Sequence, residues 1–226
     1  MARIRFLGHS AFHIEGEGLN GLVDPWLSGN GMSPFSPDDF PEVNFIFVTH
    51  GHGDHLGDAP AIAEKTGAMV VGTVELCAAL PEGVKTHPMQ IGGAFRFPFG
   101  KVRMTPAWHG SGIMADGVMV YGGVAGGFLI EVDGKRIYHA GDTGLTMEMT
   151  LLAADSVDVA LLPIGGNYTM DIEDAVRATE MIRPRIVIPM HFDSFPVIKA
   201  SPERFSSLAS GHAEVRVLGA GDSLDI

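Results

Sequence analysis

The chain of 226 residues has a single cysteine, 15 lysines and arginines against 27 aspartates and glutamates, and no long unbroken apolar run. One cysteine excludes an internal disulfide and a zinc–cysteine cluster. Cys77, inside the apolar stretch Thr73 to Leu80, reads as a buried small hydrophobe rather than a reactive thiol. The shortage of basic residues leaves a formal net charge of −12, which argues against a partner with a phosphate backbone. The most apolar stretch, Val118 to Val132, is interrupted by glycines and carries Glu131, whereas a spanning helix needs about 20 apolar residues. The N-terminus turns polar by Gly8-His9-Ser10, too early for a signal peptide. A soluble cytoplasmic protein is expected, with no membrane partner. Low-complexity tracts, linkers and short repeats are also missing, so 1–226 reads as one domain. Hydrophobic residues at 46% and charged residues at 19% supply a core and exclude a disordered acidic chain.

What the chain does have is ten histidines. Histidine is the commonest transition-metal ligand and a frequent acid–base group, so its placement along the fold matters most.

Three short strands are expected at 3–7, 11–15 and 19–23, then a surface loop over 27–42 rich in Ser, Gly, Pro and Asp. Phe45 to Thr49 reads as a fully buried strand. A helix follows over about 54–66 and stops at Gly67, and 68–72 is another strand. Residues 84–89, 95–97 and 102–106 suggest antiparallel strands. Residues 110–127 read as a Gly-rich loop, and 128–132 with 136–139 as a hairpin across Asp133-Gly134. Helix and strand then alternate. A helix is expected over 146–154 and a strand over 157–162. An amphipathic helix over 171–183 has Ile172, Val176, Thr179 and Ile182 on one stripe, capped by Asp171 and stopped by Pro184. A strand at 185–189, a helix at 201–210 and a strand at 214–218 complete the chain. Strands come early in each half and helices cover them later. That suits an α/β (α+β) sandwich of two mixed sheets packed face to face with helices outside.

Directly after the buried strand stands Thr49-His50-Gly51-His52-Gly53-Asp54-His55. His50 and His52 are two apart and point to one side of an extended chain. Asp54 and His55 sit where the chain enters a helix and can turn toward a second point. Gly51 and Gly53 let the backbone bend between them. One short loop could serve two adjacent metal ions. His109, Asp142 and His191 each stand just past the C-terminal end of another apolar strand, the edge where open α/β sheets place their ligands.

This succession, His-x-His-x-Asp-His followed by a distant His, an Asp and a His, resembles the metallo-β-lactamase superfamily over essentially the whole chain. Gly8-His9-Ser10-Ala11-Phe12, Val23-Asp24-Pro25 and Ile188-Pro189-Met190-His191-Phe192 resemble its ascorbate-6-phosphate lactonase-like branch of uncharacterised metal-dependent hydrolases. The resemblance implies a four-layer αββα sandwich. It implies a first metal on His50, His52 and His109, a second on Asp54, His55 and His191, and Asp142 between them. Imidazole and carboxylate ligands suit Zn2+, with Mn2+ or Fe2+ as alternatives. Oxygen-reducing di-iron relatives carry Glu where this chain has His52, which disfavours that chemistry.

The chemistry expected is hydrolysis of a small ester-type substrate by a hydroxide held between two divalent ions. Asp54 is the carboxylate expected to orient the nucleophile. A lactone or phosphorylated sugar-acid lactone is suggested by the branch resemblance alone. Phosphodiester hydrolysis and non-catalytic metal binding are the competing readings. Expected partners are a small-molecule substrate and no nucleic acid, with room left for a homo-oligomer. Four further residues are candidates for touching substrate or supporting a ligand. His9 lies in the turn after the first strand and Asp24 follows the third. Trp108 beside His109 reads equally as a pocket wall or a core residue. Asn167 follows a strand. His139 is expected in the core, and His13, His87 and His212 without chemistry.

Overall fold

The computed structural model describes all residues, 1–226. Strands β1 (Arg3–Gly8), β2 (Ala11–Gly16) and β3 (Leu19–Val23) form an antiparallel meander where the sequence places it. Strands β4 (Phe45–Phe47) and β5 (Met69–Thr73) then add in parallel. The crossover between them is two helices, α1 (Gly53–Leu56) and α2 (Ala59–Thr66), not the single helix expected over 54–66. Gly57 breaks it. Its φ is +41°, and a Cβ there would stand 2.6 Å from Trp26 Cα, so only glycine lets the two segments touch. Asp58 then accepts the backbone N–H groups of Leu27 and Ser28, each at 2.8 Å. The break clamps the start of the loop after β3.

Helix α3 (Val74–Ala78) starts at Thr73, whose side chain accepts from Leu76 N. It returns the chain so that β6 (Thr86–Met89) runs parallel to β5 at the edge of the first sheet. This corrects the expectation that 84–89 pairs antiparallel with 95–97 and 102–106. Alternation in a short strand shows which face is buried, but not which neighbour it takes.

Strands β7 (Ala94–Phe97) and β8 (Gly100–Pro106) open the second sheet. The segment 110–127 is not a plain loop. It holds a separate hairpin, β9 (Gly112–Ala115) with β10 (Val118–Tyr121), turned at Asp116 and Gly117, both at positive φ. The flanking glycines obscured the alternation, yet Asp-Gly is the same turn signal that joins β11 (Gly126–Val132) to β12 (Lys135–His139). Residues 147–155 form a 3-10 helix, and β13 (Val159–Pro163) comes next. Helix α4 (Ile172–Ile182) is capped by Asp171, which accepts from Asp174 N at 2.9 Å. It buries Ile172, Ala175, Ala178, Thr179 and Ile182, and leaves Val176 half-exposed. Strand β14 (Ile186–Met190), helix α5 (Pro202–Ala209) and a two-residue β15 (Glu214–Val215) finish this sheet. The strand expected over 214–218 is therefore cut short. A last strand, β16 (Ser223–Asp225), returns to the first sheet beside β1.

Each sheet has seven strands, in the orders β16-β1-β2-β3-β4-β5-β6 and β15-β14-β13-β12-β11-β8-β7. Period-two alternation sorts their side chains into layers. Phe6, Phe12, Phe47 and Val71 point inward against Val102, Phe128, Ile137 and Ile188. Leu22, Ile46 and Val70 point outward under Ile62 and Ala63 of α2. Tyr138, Ala160 and Val187 point outward under Ala175 and Ile182 of α4 and Phe205 of α5. Strands covered on both faces have no polar side, which is why β4, β13 and β14 read as unbroken apolar runs. The result is the four-layer αββα sandwich. No helix is long and apolar enough to cross a membrane.

Candidate metal centre

The seven candidate ligands come from strand ends of both sheets. His50 to His55 lie just past β4, while His109, Asp142 and His191 lie past β8, β12 and β14. His50 Nε2 lies 3.0 Å from His52 Nδ1, which lies 3.2 Å from His109 Nε2. Asp142 Oδ1 lies 3.2 Å from His55 Nε2, and Asp142 Oδ2 lies 2.9 Å from His191 Nε2 and 3.5 Å from His109 Nε2. Asp54 joins a group with His55, His191 and His9 whose ligand atoms all lie within 4.8 Å of one another. All seven thus face one region, and His9 joins them there.

Chemically, the arrangement is that of a cation site. His55 Nε2, His191 Nε2 and Asp142 Oδ1 are buried yet meet no hydrogen-bond partner in acceptable geometry. Buried polar atoms are almost always paired, so three orphans facing one region fit a shared metal. The charges say the same. Burial opposes protonation of His55, but Asp142 and Asp24 push its pKa well above the ordinary value. Burial would raise Asp142, but His55 and His191 hold it well below. Burial would likewise raise Asp54, and the His9 hydrogen bond with nearby His55 holds it low. Burial, helped by the neighbouring imidazoles, pulls His50 and His109 down against Asp142. A single protonated imidazole between buried carboxylates supplies the balance that a divalent cation would supply there.

Asp24 is the keystone of the support. It is fully buried and sits at φ +45° just after β3. Its Oδ1 accepts Thr49 N–H at 2.8 Å; its Oδ2 accepts Thr49 Oγ1–H at 2.6 Å and His55 Nδ1–H at 2.7 Å. With its hydroxyl proton committed to Asp24, Thr49 Oγ1 can only accept from His50 Nδ1, 3.0 Å away. With a cation in place of the extra proton of His55, both rings would be held as the tautomer whose Nε2 lone pair faces the centre. His9 is also buried and left-handed at φ +57°. Its Nδ1 pairs with Ser194 Oγ at 2.6 Å and its Nε2 faces Asp54 Oδ2 at 3.4 Å. Burial, outweighing the Asp54 hydrogen bond, lowers its pKa to about 4. His191, at φ +54°, donates its backbone N–H to His9 O at 2.8 Å and ties β14 to the β1–β2 turn. Three non-glycine residues in the left-handed region concentrate backbone strain where the side chains must converge.

Two candidates lie off the histidine cavity. Trp108 is 72% exposed, neither core nor lining the histidine cavity; only its backbone is held, accepting Gly144 N–H and donating to Thr143 Oγ1. Asn167 is exposed at φ +56° and also off that lining, whereas its neighbour Tyr168 is on it. Gly51 is required, because a Cβ would lie 2.4 Å from Ile113 Cγ1, while the space around Gly53 is open. His139 is buried as expected but not idle. Its Nε2–H donates to Ser10 O at 2.9 Å and its Nδ1 accepts Gly141 N–H at 3.1 Å, holding the loop of Asp142. His13 pairs with Asn20, His87 packs on Phe95 and Phe97, and His212 is exposed.

The cavity over the centre is about 610 Å³. Its apolar wall is Trp26, Tyr168, Phe195 and Val197, with Trp26 stacked on Phe195 at 5.6 Å between ring centroids. Sequence reasoning missed this wall. Trp26 adjoins Val23-Asp24-Pro25 and Phe195 stands four residues after His191, so nearness to the ligand motifs was the available signal. A second cavity of about 280 Å³, lined by Met104, Tyr138 and Leu152, holds none of the candidate ligands.

Known proteins of similar sequence and shape point the same way. A family model described as a beta-lactamase superfamily domain matches residues 20–192. A protein of Alkaliphilus metalliredigens named UPF0173 metal-dependent hydrolase is 51% identical over 204 residues, covering 90% of this chain and 91% of that one. One of the same name from Carboxydothermus hydrogenoformans is 50% identical over 224 residues, covering 97% and 98%. Among solved structures, Igni18, a metallo hydrolase of Ignicoccus hospitalis, superposes with a TM-score of 0.90 at 38% identity, covering 100% of this chain and 99% of that one. YhfI of Bacillus subtilis, a metallo-beta-lactamase fold protein, superposes at 0.72 with 12% identity and full coverage of both chains, a likeness of fold alone.

Proposed function

The chain belongs to the beta-lactamase superfamily as a metal-dependent hydrolase, and from that premise we propose that it cleaves a small, uncharged ester-type substrate, such as a lactone, at a two-metal centre. His50, His52 and His109 would hold one ion, and Asp54, His55 and His191 the other, with Asp142 between. The observation that carries this reading is the set of unpaired buried atoms, His55 Nε2, His191 Nε2 and Asp142 Oδ1, aimed at one spot. In this reading 1–226 works as one domain, because the ligands run from residue 50 to residue 191. The donor set suits Zn2+, with Mn2+ or Fe2+ as alternatives. Bound there, two divalent ions would bring the pKa of water toward neutrality and polarise the attacked carbonyl.

The chain's own residues do the rest. Asp24 and Thr49 set the tautomers of His55 and His50, so no proton sits where a lone pair is needed. Asp54, held ionised, accepts a proton from an attacking water and orients it. His9 faces the other side of that carboxylate and, kept neutral by burial, positions it without adding charge. Trp26, Tyr168, Phe195 and Val197 offer an apolar wall to the acyl or alcohol part of the substrate and exclude water from that side. The ten lining residues include no lysine or arginine, which favours a neutral lactone over a phosphorylated one and over a phosphodiester.

The test is metal analysis of the purified protein, coupled to hydrolysis of neutral lactones, phosphorylated lactones, simple esters and phosphodiesters. The expected result is about two equivalents of metal and the highest kcat/KM on a neutral lactone or ester. Asp54→Ala should lower kcat/KM by roughly 10²–10⁴-fold. Near-wild-type activity in that variant would overturn the role of Asp54. Bound metal with no hydrolysis of any class would favour the non-catalytic alternative.

A further inference from the structure

The hairpin β9–β10 fits poorly with a free-standing molecule. It belongs to neither large sheet, and β10 pairs only with β9. A lone two-stranded hairpin is marginal in water and needs a third strand or a packing partner. Yet all four β10 side chains are exposed and apolar or aromatic: Val118 at 63%, Met119 at 62%, Val120 at 40% and Tyr121 at 73%. Met114 lies directly across from Met119 and shares its face with Tyr121. Val124 continues the patch to Trp108, both lining one shallow depression. Only Ile113 is buried, rooted against Gly51.

We propose that β10 is the contact strand of a symmetric dimer of this chain, its free edge pairing antiparallel with the same strand of a second copy. Three features point to a second copy rather than another occupant. An open apolar strand edge is a template for strand addition, and an antiparallel pair of identical strands closes on a two-fold axis with nothing left over. The seven apolar side chains from Trp108 to Val124, shared between the two faces of the hairpin, present on the order of 800 Å² together, an upper limit on what one partner buries and of the size of one side of a standard interface. Between Gly110 and Gly123 the one charged residue is Asp116, on a chain of net charge −12. Pairing here brings few charges together.

The root of the hairpin explains what pairing would do. Ser111 Oγ accepts the N–H of Gly51 at 3.0 Å and donates to Gly122 O at 3.0 Å, so the hairpin stem is bonded to the backbone between His50 and His52. A partner on β10 would brace that loop from outside.

The test uses the full chain in sedimentation velocity across a micromolar concentration series. The wild type is expected to be a dimer. Met119→Asp with Tyr121→Asp should raise the dissociation constant on the order of a hundredfold, as loss of two central apolar anchors does. Far-UV circular dichroism should stay unchanged, since both side chains are exposed. Single cysteines at 118 to 121, in a Cys77→Ser background, should give a disulfide-linked dimer at the position on the two-fold axis. A monomer at all concentrations would overturn the proposal. So would a dimer indifferent to both charges, or a monomer whose double variant changes only KM, which would make the hairpin a lid over its own cavity.

Discussion

Replacing Asp24 by Asn keeps the shape of the side chain and removes what it does. The carboxylate accepts three hydrogen bonds, from Thr49 N, Thr49 Oγ1 and His55 Nδ1. An amide whose oxygen stays on Thr49 N turns its NH₂ toward His55 Nδ1. His55 must then accept at Nδ1 and carry its proton on Nε2, the atom that faces Asp142. The lone pair needed for a metal is gone, and so is one of the two charges that favour a cation nearby. Loss of such a supporting partner costs roughly 10–100-fold in metal affinity, equivalent to about 1.4–2.7 kcal/mol. The loss should fall on the ion held by His55, while the His50, His52 and His109 group keeps more of its affinity. Competition with a chelator read by elemental analysis measures both steps, and ¹⁵N NMR of the imidazoles reads the tautomer. If Asp24→Asn binds both ions as the wild type does, or His55 keeps its Nδ1 proton, the tautomer argument is refuted.

Three further outcomes are expected. Gly57→Ala forces a Cβ to within 2.6 Å of Trp26 Cα in a left-handed backbone, and should cost on the order of 2–4 kcal/mol in urea denaturation; a loss under 1 kcal/mol would show that the loop of Trp26 gives way freely. Burial raises the Cys77 thiol to about 11, which cuts its thiolate near pH 8 about a hundredfold relative to an ordinary thiol. Alkylation should therefore be slow in the native protein and fast in denaturant. Because the folded pKa lies above the unfolded one, the same group should make stability fall as pH rises from about 9 to 11. Fast native labelling would contradict the burial.

The candidate centre was legible because its residues obey a local rule. Each stands just past the C-terminal end of a strand, and β4 and β14 are unbroken apolar runs covered on both sides, so strand, end and ligand can be read together. Where the structure departs from the reading, the deciding information is non-local. The break at Gly57 and Asp58 exists because the chain at Trp26 to Ser28 comes against it from far upstream. The direction of β6 depends on α3 and on an available edge, not on its own alternation. Trp26 adjoins a loop, 27–42, whose Ser, Gly and Pro content reads as surface, and it becomes a wall only because Phe195 arrives from the other sheet. Asn167 and Trp108 adjoin the right strand ends, but the sequence does not say which of two neighbours turns inward. In one case Tyr168 does, in the other His109.

The proposed ligands are divided between two sheets that touch chiefly through one apolar layer. His50 to His55 ride on the first sheet, and His109, Asp142 and His191 on the second, with the His191–His9 backbone bond as a stitch between them. The alignment of one sheet against the other is therefore written into the spacing of the centre. Metal affinity becomes a gauge of that alignment, sensitive to slippage well below the level that unfolds the protein. A core change far from any histidine, such as Ile137→Ala between the sheets, leaves every ligand in place and still lets the two rigid halves shift. Its mark should show as faster metal loss before it shows as lost structure, which makes the distant core as much a part of the centre as the residues that face it.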